Sequence, residues 1–221
     1  RAVPRLRPQM VLYAPPATRP AMFTGIVEGT ARVASVSAGA GDGRALRLTV
    51  ELGRRAAGLR AGQSVALDGV CLTVTRRLAG GRCAFDVIGQ TARLTSLGRV
   101  ARGDRLNVER SMRAGARVEG HFVLGHVDGQ GTVASAARRG DETVLSIDVP
   151  ARLARELPVR GSVAINGASM TVAARRGRRI RVHAIPHTLG LTNLGSLAAG
   201  DAVNVETDVL AKYALARSLP K

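Results

Sequence analysis

The chain has 221 residues, 45% of them hydrophobic, 22% charged and 2% aromatic, with a formal net charge of +17. This is enough apolar material for one large or two small cores, so the chain folds and is not a solvated tail. No apolar run reaches the roughly 18–20 residues of a membrane-spanning helix, and three phenylalanines, two tyrosines and no tryptophan are too few rings for a single-strand stacking platform.

From the N-terminus, residues 1–21 hold four arginines and no acid, and the first 20 contain five of the nine prolines. Such a stretch sustains neither helix nor strand. It is expected to be a disordered leader ahead of a natural start at Met22, with an organellar transit peptide as the alternative reading. Strands follow at 31–36 and 45–51, joined by GAGDG at Gly39–Gly43, which reads as a hairpin loop because no helix pattern follows it to cradle phosphate. After a short helix near 54–60, the segment SVALDGVCLTV at 64–74 opens a strand at the turn dipeptide Asp68-Gly69. Strands at 82–88 and 105–109 complete the first half. The second half has strands at 131–135 and 143–149, a short helix at 151–157, the Asn166-Gly167 turn inside SVAINGASMTV, and strands at 179–185 and 202–206. Pro186 argues against a helix carrying His183 and His187. The chain closes on a helix with Asp208 as N-cap and Leu210, Tyr213, Ala214 and Arg217 on one stripe, which would dock on the body or on a partner.

The two halves repeat one another. FTGIVEGTARVAS (23–35) matches LGHVDGQGTVAS (124–135) with Gly25 over Gly125; SVALDGVCLTV (64–74) matches SVAINGASMTV (162–172); TARLTSLGRVARGDRLNVE (91–109) matches TLGLTNLGSLAAGDAVNVE (188–206). The offset drifts only from 100 to 98 to 97, as small loop deletions produce. The chain is therefore all-β, with two tandem barrels at 22–118 and 119–207 and a C-terminal helix at 208–221.

Strand alternation places Cys71 and Thr73 on one face and Ser169 and Thr171 on the equivalent face of the other half, with Leu72 and Met170 turned away. Two copies of a small polar face at the same place in two diverged halves point to two similar ligand sites. His121 and His126 fall on opposite faces of an unbroken strand and do not share a metal. Cys71 and Cys83 match neither a zinc spacing nor a disulfide scaffold, which points to a reducing compartment. The positive charge is nearly all arginine, lysine occurring only at 212 and 221, and it comes as scattered pairs beside glycines where turns belong. It reads as solvated loop charge rather than a nucleic-acid surface.

MFTGIVEG (22–29), DGVCLTV (68–74), GHFVLGHVDG (120–129), IPHTLGLTNLG (185–195) and NVETDVLAKY (204–213) together resemble the riboflavin synthase α-chain family over everything after residue 21. That resemblance implies two six-stranded Greek-key barrels and a C-terminal helix that assembles a trimer. It implies a dismutation in which one 6,7-dimethyl-8-ribityllumazine gives a four-carbon unit to another, yielding riboflavin and 5-amino-6-(D-ribitylamino)uracil, with no metal or cofactor. It assigns Gly25, Ile26, Cys71, Thr73, Thr91, His126 and Val127 to the first barrel's ligand site, with Val27 beside them, and Ser169, Thr171, Ile185, His187 and Thr188 to the second. His126, Asp208, Ser169 and Cys71 are its proton-transfer or nucleophilic candidates, and Phe23 its functionally sensitive phenylalanine. Family membership also implies a cytoplasmic enzyme without nucleic-acid or membrane partners, and docking to a lumazine synthase shell is a further possibility. The chain departs from the family at Gln90, Glu119, Leu124 and Asn166. The lost carboxylates at 90 and 166 bear on ligand binding or proton transfer, and a noncatalytic lumazine- or flavin-binding relative is the alternative function.

Overall fold

A computed structural model describes residues 22–39 and 45–217; the leader expected over 1–21 and most of the GAGDG loop lie outside the described residues. In the first half β1 (Gly29–Ala38), β2 (Leu46–Glu51), β3 (Ser64–Leu67), β4 (Val70–Leu78), β5 (Arg82–Val87) and β6 (Arg105–Arg110) form a closed antiparallel barrel in the order β1-β2-β5-β4-β3-β6. Alternation drives the closure: along β4, Val70, Leu72 and Val74 enter the core while Thr73 and Thr75 are exposed. With almost no aromatics, the barrel is filled by aliphatic side chains such as Val33, Leu48, Val50, Leu67 and Val108 around a single ring, Phe85.

The second half repeats the pattern with β7 (Gly129–Arg139), β8 (Glu142–Asp148), β9 (Ser162–Ile165), β10 (Ala168–Thr171), β11 (Ala174–Arg176), β12 (Arg179–Ala184) and β13 (Ala202–Thr207). Its ladder differs from the expected closed six strands. β10 and β11 are two pieces of the strand equivalent to β4, and they stand at opposite ends of the order β10-β9-β13-β7-β8-β12-β11. The first barrel absorbs the same irregularity as a register shift between Val74 and Arg76. In the second, the break at 172–173 leaves Val172 O accepting from Arg160 N at 2.8 Å and Ala173 N donating to Arg181 O at 2.8 Å, so the curled sheet comes round without pairing its ends.

The helices are shorter than the periodicity predicts. The region 54–60 yields one 3-10 turn, Gly53–Ala56, and 151–157 yields only Ala151–Ala154. Two helices were not foreseen, at Gly89–Leu94 and at Pro186–Leu191. The second corrects the argument from Pro186: a proline at the first helical position gives up an N–H that has no intrahelical partner anyway. His183 stays on β12, bonded to Glu142 at 3.0 Å, so the two histidines remain on different elements. The terminal helix spans Val209–Arg217, and Asp208 Oδ1 accepts from Leu210 N at 2.9 Å, as an N-cap does. Leu210 and Tyr213 project outward, 61% and 71% exposed, so their stripe is not docked on the body.

The barrels meet back to back through their two turns. Asp68, Gly69, Asn166 and Gly167 all have positive φ, as a type I′ hairpin requires. A Cβ on Gly69 would fall 2.7 Å from Gly167 N, and one on Gly167 would fall 2.7 Å from Gly69 N, so glycine alone permits the contact. Around it runs a crossed network. Asn107 donates to Asn166 O at 2.9 Å and Asn204 donates to Asp68 O at 2.9 Å; Asn193 donates to Asp68 Oδ1 at 2.9 Å, and Asn166 to Asn193 Oδ1 at 3.2 Å. Asn166, one of the departures from the family, thus belongs to this seam, buried, and not to a ligand site.

Burial pushes the Asp68 carboxyl from its ordinary 3.8 to about 7, against the hydrogen bonds from Asn107 N and Asn193 that favour its charge. The folded chain therefore keeps a proton that the unfolded chain has released, and stability falls as pH rises from about 4 to about 7. An amide at 68 keeps the Oδ1 acceptor for Asn107 N and Asn193 and has no charge to bury. Asp68→Asn is expected to stabilise the protein at pH 8 by roughly 1–2 kcal/mol and to flatten its Tm-versus-pH curve between pH 5 and 8. Denaturation across that range checks both, and a destabilised variant with the original slope refutes them.

Candidate functional site

Cys71 and Thr73 of β4 and Ser169 and Thr171 of β10 point away from the barrel cores, and each pair, with the segment lying across it, is here termed a groove. Each is crossed by a segment from the other half. Cys71 N donates to Gly125 O at 2.9 Å, and Ser169 N donates to Gly25 O at 2.8 Å. Val127 consequently packs into the first barrel's core and Val27 into the second's. Both glycines have φ +75, and a Cβ would come within 2.5 Å of Cys71 Cβ from Gly125 and 2.6 Å of Ser169 Cβ from Gly25.

The exchange corrects one assignment. The resemblance groups Gly25, Ile26 and Val27 with the first barrel, but they lie across Ser169 of the second; His126 and Val127 are the segment that crosses Cys71. The physical cause is the bridge between Phe23 and Val123, which pair N to O at 2.8 and 3.1 Å and send the two segments past one another. Phe23 itself is fully buried with Ala66, Val123 and Ala164, so it sustains the site by packing and does not line it.

Buried carboxylates hold each segment. Glu109 of β6 accepts from Thr24 N at 2.7 Å, Thr24 Oγ1 at 3.0 Å and Gly25 N at 3.0 Å. Glu206 of β13 accepts from Leu124 N at 2.7 Å. Burial pushes both to about 7 even though these N–H groups favour the charged form.

The second groove carries an arrangement that the sequence reading missed. His121, and not His126, meets Ser169, with Nδ1 at 2.8 Å from Oγ. His121 is buried, its Nε2 has no hydrogen-bond partner among the described residues, and burial lowers its pKa while the Asp208 charge raises it. A neutral imidazole on a hydroxyl, with a carboxylate nearby, can relay a proton at pH 7. Ile26, next to the Gly25 that crosses Ser169, is exposed, as is Ile185. His187 and Thr188 lie on the short helix Pro186–Leu191, and Thr91 on its repeat counterpart Gly89–Leu94.

In the first groove the Ser64 hydroxyl bonds Cys71 and favours its thiolate, but burial outweighs it and the Glu206 charge adds to the rise, so the thiol stays protonated. His126 follows Gly125 into this groove, exposed. Ile88, 63% exposed, is the repeat counterpart of Ile185, and that correspondence is the signal that would have found it. Ser64 and His121 carry no such mark, since each is identified only by its partner. A separate cleft of about 1300 Å³ between the barrels, lined in part by Arg99, Arg105, Arg138 and Asn193, contains none of the residues assigned from sequence.

Comparison with known proteins places this geometry. The lumazine binding domain family matches twice, over residues 24–111 and 124–208. The riboflavin synthase of Mycobacterium tuberculosis (strain ATCC 25618 / H37Rv) is 40% identical over 199 residues, covering 87% of this chain and 96% of that protein. That of Bacillus amyloliquefaciens is 33% identical over 192 residues, 87% of each. Among solved structures, LumP complexed with riboflavin superposes with a TM-score of 0.77 at 25% identity, covering 84% of this chain and 98% of LumP. LumP complexed with 6,7-dimethyl-8-(1'-D-ribityl) lumazine gives 0.74 at 25% identity, with the same coverage.

Gly125→Ala places a side chain in a left-handed conformation and against Cys71. It is expected to cost about 2 kcal/mol or more, read as a lower denaturation midpoint. An unchanged midpoint would mean that the crossing segment is not fixed on β4.

Proposed function

The chain belongs to the riboflavin synthase family of tandem lumazine-binding domains, and on that premise we propose how its two grooves share the reaction. The protein is a riboflavin synthase: two 6,7-dimethyl-8-ribityllumazine molecules are the substrates, and a four-carbon unit passes from one to the other, which makes it a transferase. The observation that carries the reading is the duplication of one ligand groove in a single chain, each copy with a small polar strand face, a crossing segment and an exposed isoleucine. A reaction between two molecules of one compound needs two like sites brought face to face. Such juxtaposition contributes up to roughly 7–11 kcal/mol when aligned.

In this reading the 7-methyl group of the donor loses a proton, the resulting carbanion, stabilised by the ring, joins the acceptor in a pentacyclic adduct, and fragmentation of that adduct releases riboflavin and 5-amino-6-(D-ribitylamino)uracil. Ser169 with His121 serves as the proton relay of the second groove, with the Asp208 carboxylate beside it. Cys71 and His126 flank the substrate of the first groove as hydrogen-bonding groups. Thr73, Thr91, Thr171, Thr188, His187 and Ile185 position the rings and ribityl chains.

Both grooves open on the outside of their barrels, so one face of each bound ring awaits cover. Assembly through the helix at Val209–Arg217, whose Leu210 and Tyr213 are exposed, supplies it by joining one chain's first barrel to a neighbour's second. A homotrimer in the cytoplasm, with lumazine synthase as a possible docking partner for its basic surface, completes the proposal. A noncatalytic lumazine- or flavin-binding relative is the competing reading.

Purified protein given the dimethyl-ribityllumazine is expected to produce riboflavin absorbance; binding without turnover would establish the competing reading. Ser169→Ala is expected to lower kcat by roughly 10²-fold while the first barrel still binds lumazine. Truncation after Leu210 is expected to yield monomers that bind but do not turn over. A fully active truncated monomer rules out the intersubunit site.

A further inference from the structure

The two carboxylates that hold the crossing segments are not equivalent. In the first half Thr24 gives Glu109 both its N–H and its hydroxyl, and Gly25 N completes the set, so both oxygens are bonded. Leu124 stands at the repeat position of Thr24 and offers only its N–H to Glu206 Oε1, at 2.7 Å. Gly125 N–H faces the carboxylate and favours its charge. Among the described residues no group comes into hydrogen-bond geometry with Oε2, which is buried in a side chain only 2% exposed.

A buried oxygen without a donor has two stable resolutions, protonation or displacement, and the Leu124 amide blocks the second. The groups facing Glu206 are Cys71 from β4, Asp128 ahead of β7, and Lys212 from the C-terminal helix. Asp128 favours the protonated form; Lys212, ion-paired to Asp128 at 2.7 Å, favours the charged one. Burial is the largest influence and holds the group at about 7, so a modest change in the surroundings alters its charge. Glu206 reaches Cys71 by two routes: its charge raises the thiol pKa, and its bond to Leu124 N fixes the peptide whose neighbour, Gly125 O, accepts from Cys71 N.

We propose that Glu206 is a positioning residue of the first groove, holding the segment 124–127 over Cys71 and switching the charge that faces the thiol by taking up or releasing a proton on its free oxygen. Leu124 leaves Glu206 without the hydroxyl that Thr24 gives Glu109. The inference rests on reading Cys71 and His126 as one of the two substrate grooves.

Two variants test it. Glu206→Gln keeps an acceptor for Leu124 N and removes the proton exchange; Leu124→Thr supplies the missing hydroxyl, which favours the charged carboxylate. Cys71 alkylation by iodoacetamide, in a Cys83→Ala background, reads the facing charge without any turnover. At pH 8 the Gln variant is expected to react about threefold faster than its parent, as loss of a nearby negative charge eases thiol ionisation. In Leu124→Thr the carboxyl titration, followed by 13C NMR of the glutamates, is expected to move its midpoint down by about one pH unit. The limb near pH 7 in kcat/KM is expected to vanish in the first variant and follow the carboxyl midpoint in the second. Alkylation rates, carboxyl midpoint and pH–rate profile all unchanged in Leu124→Thr would overturn the proposal, even if Glu206→Gln fails to fold. Absence of riboflavin formation by the parent would instead sink the enzymatic reading, with the thiol and carboxyl titrations still deciding this one.

Discussion

The contact on which the rest of the architecture depends is the packing of one hairpin turn on the other at the seam. Gly69 and Gly167 bring two backbones within a distance that no side chain allows, and asparagine side chains donate to backbone carbonyls across the gap. With the barrels held at that separation, Phe23 and Val123 can pair, and the chain ahead of each barrel crosses to the other. The crossing is what gives each groove its second wall. A looser seam would leave Cys71 and Ser169 as ordinary outward-facing strand residues.

That constraint also explains where ionisable groups are buried. Asp68 sits in the seam, and Glu109 and Glu206 stand where the crossing segments leave their own barrels, each offering oxygens to amides that no strand pairs. Leaving those amides unpaired would cost about 1–3 kcal/mol apiece, which offsets the penalty of burying a carboxyl. All three carboxyls end near neutrality because burial exceeds the help of their donors. Structural support and proton exchange are thereby combined in the same side chains, close to the two grooves.

The surface charge plays a different part. Arg175, Arg176, Arg178 and Arg179 crowd the turn between β11 and β12, exposed, and the ion pair of Arg179 with Asp148 at 2.7 Å is of the surface kind that contributes little. Lys212 contrasts with them: one of two lysines in the chain, it reaches back from the terminal helix to Asp128, one residue past Val127. The helix that presents Leu210 and Tyr213 outward is therefore tied to the segment crossing the first groove.

The duplication, the strand faces and the two hairpin turns were legible in the sequence because each is local: alternation fixes which side of a strand is polar, and Asp-Gly or Asn-Gly fixes the turn. Cys71, Thr73, Ser169 and Thr171 followed from that alone. What only the tertiary structure decided is which half serves which groove. No periodicity reveals that residues 25–27 cross to Ser169, that His121 rather than His126 reaches its hydroxyl, or that Phe23 is packing and not lining. Those outcomes follow from long-range pairing at the seam, between residues about one hundred positions apart, and local pattern carries no information about contacts at that separation.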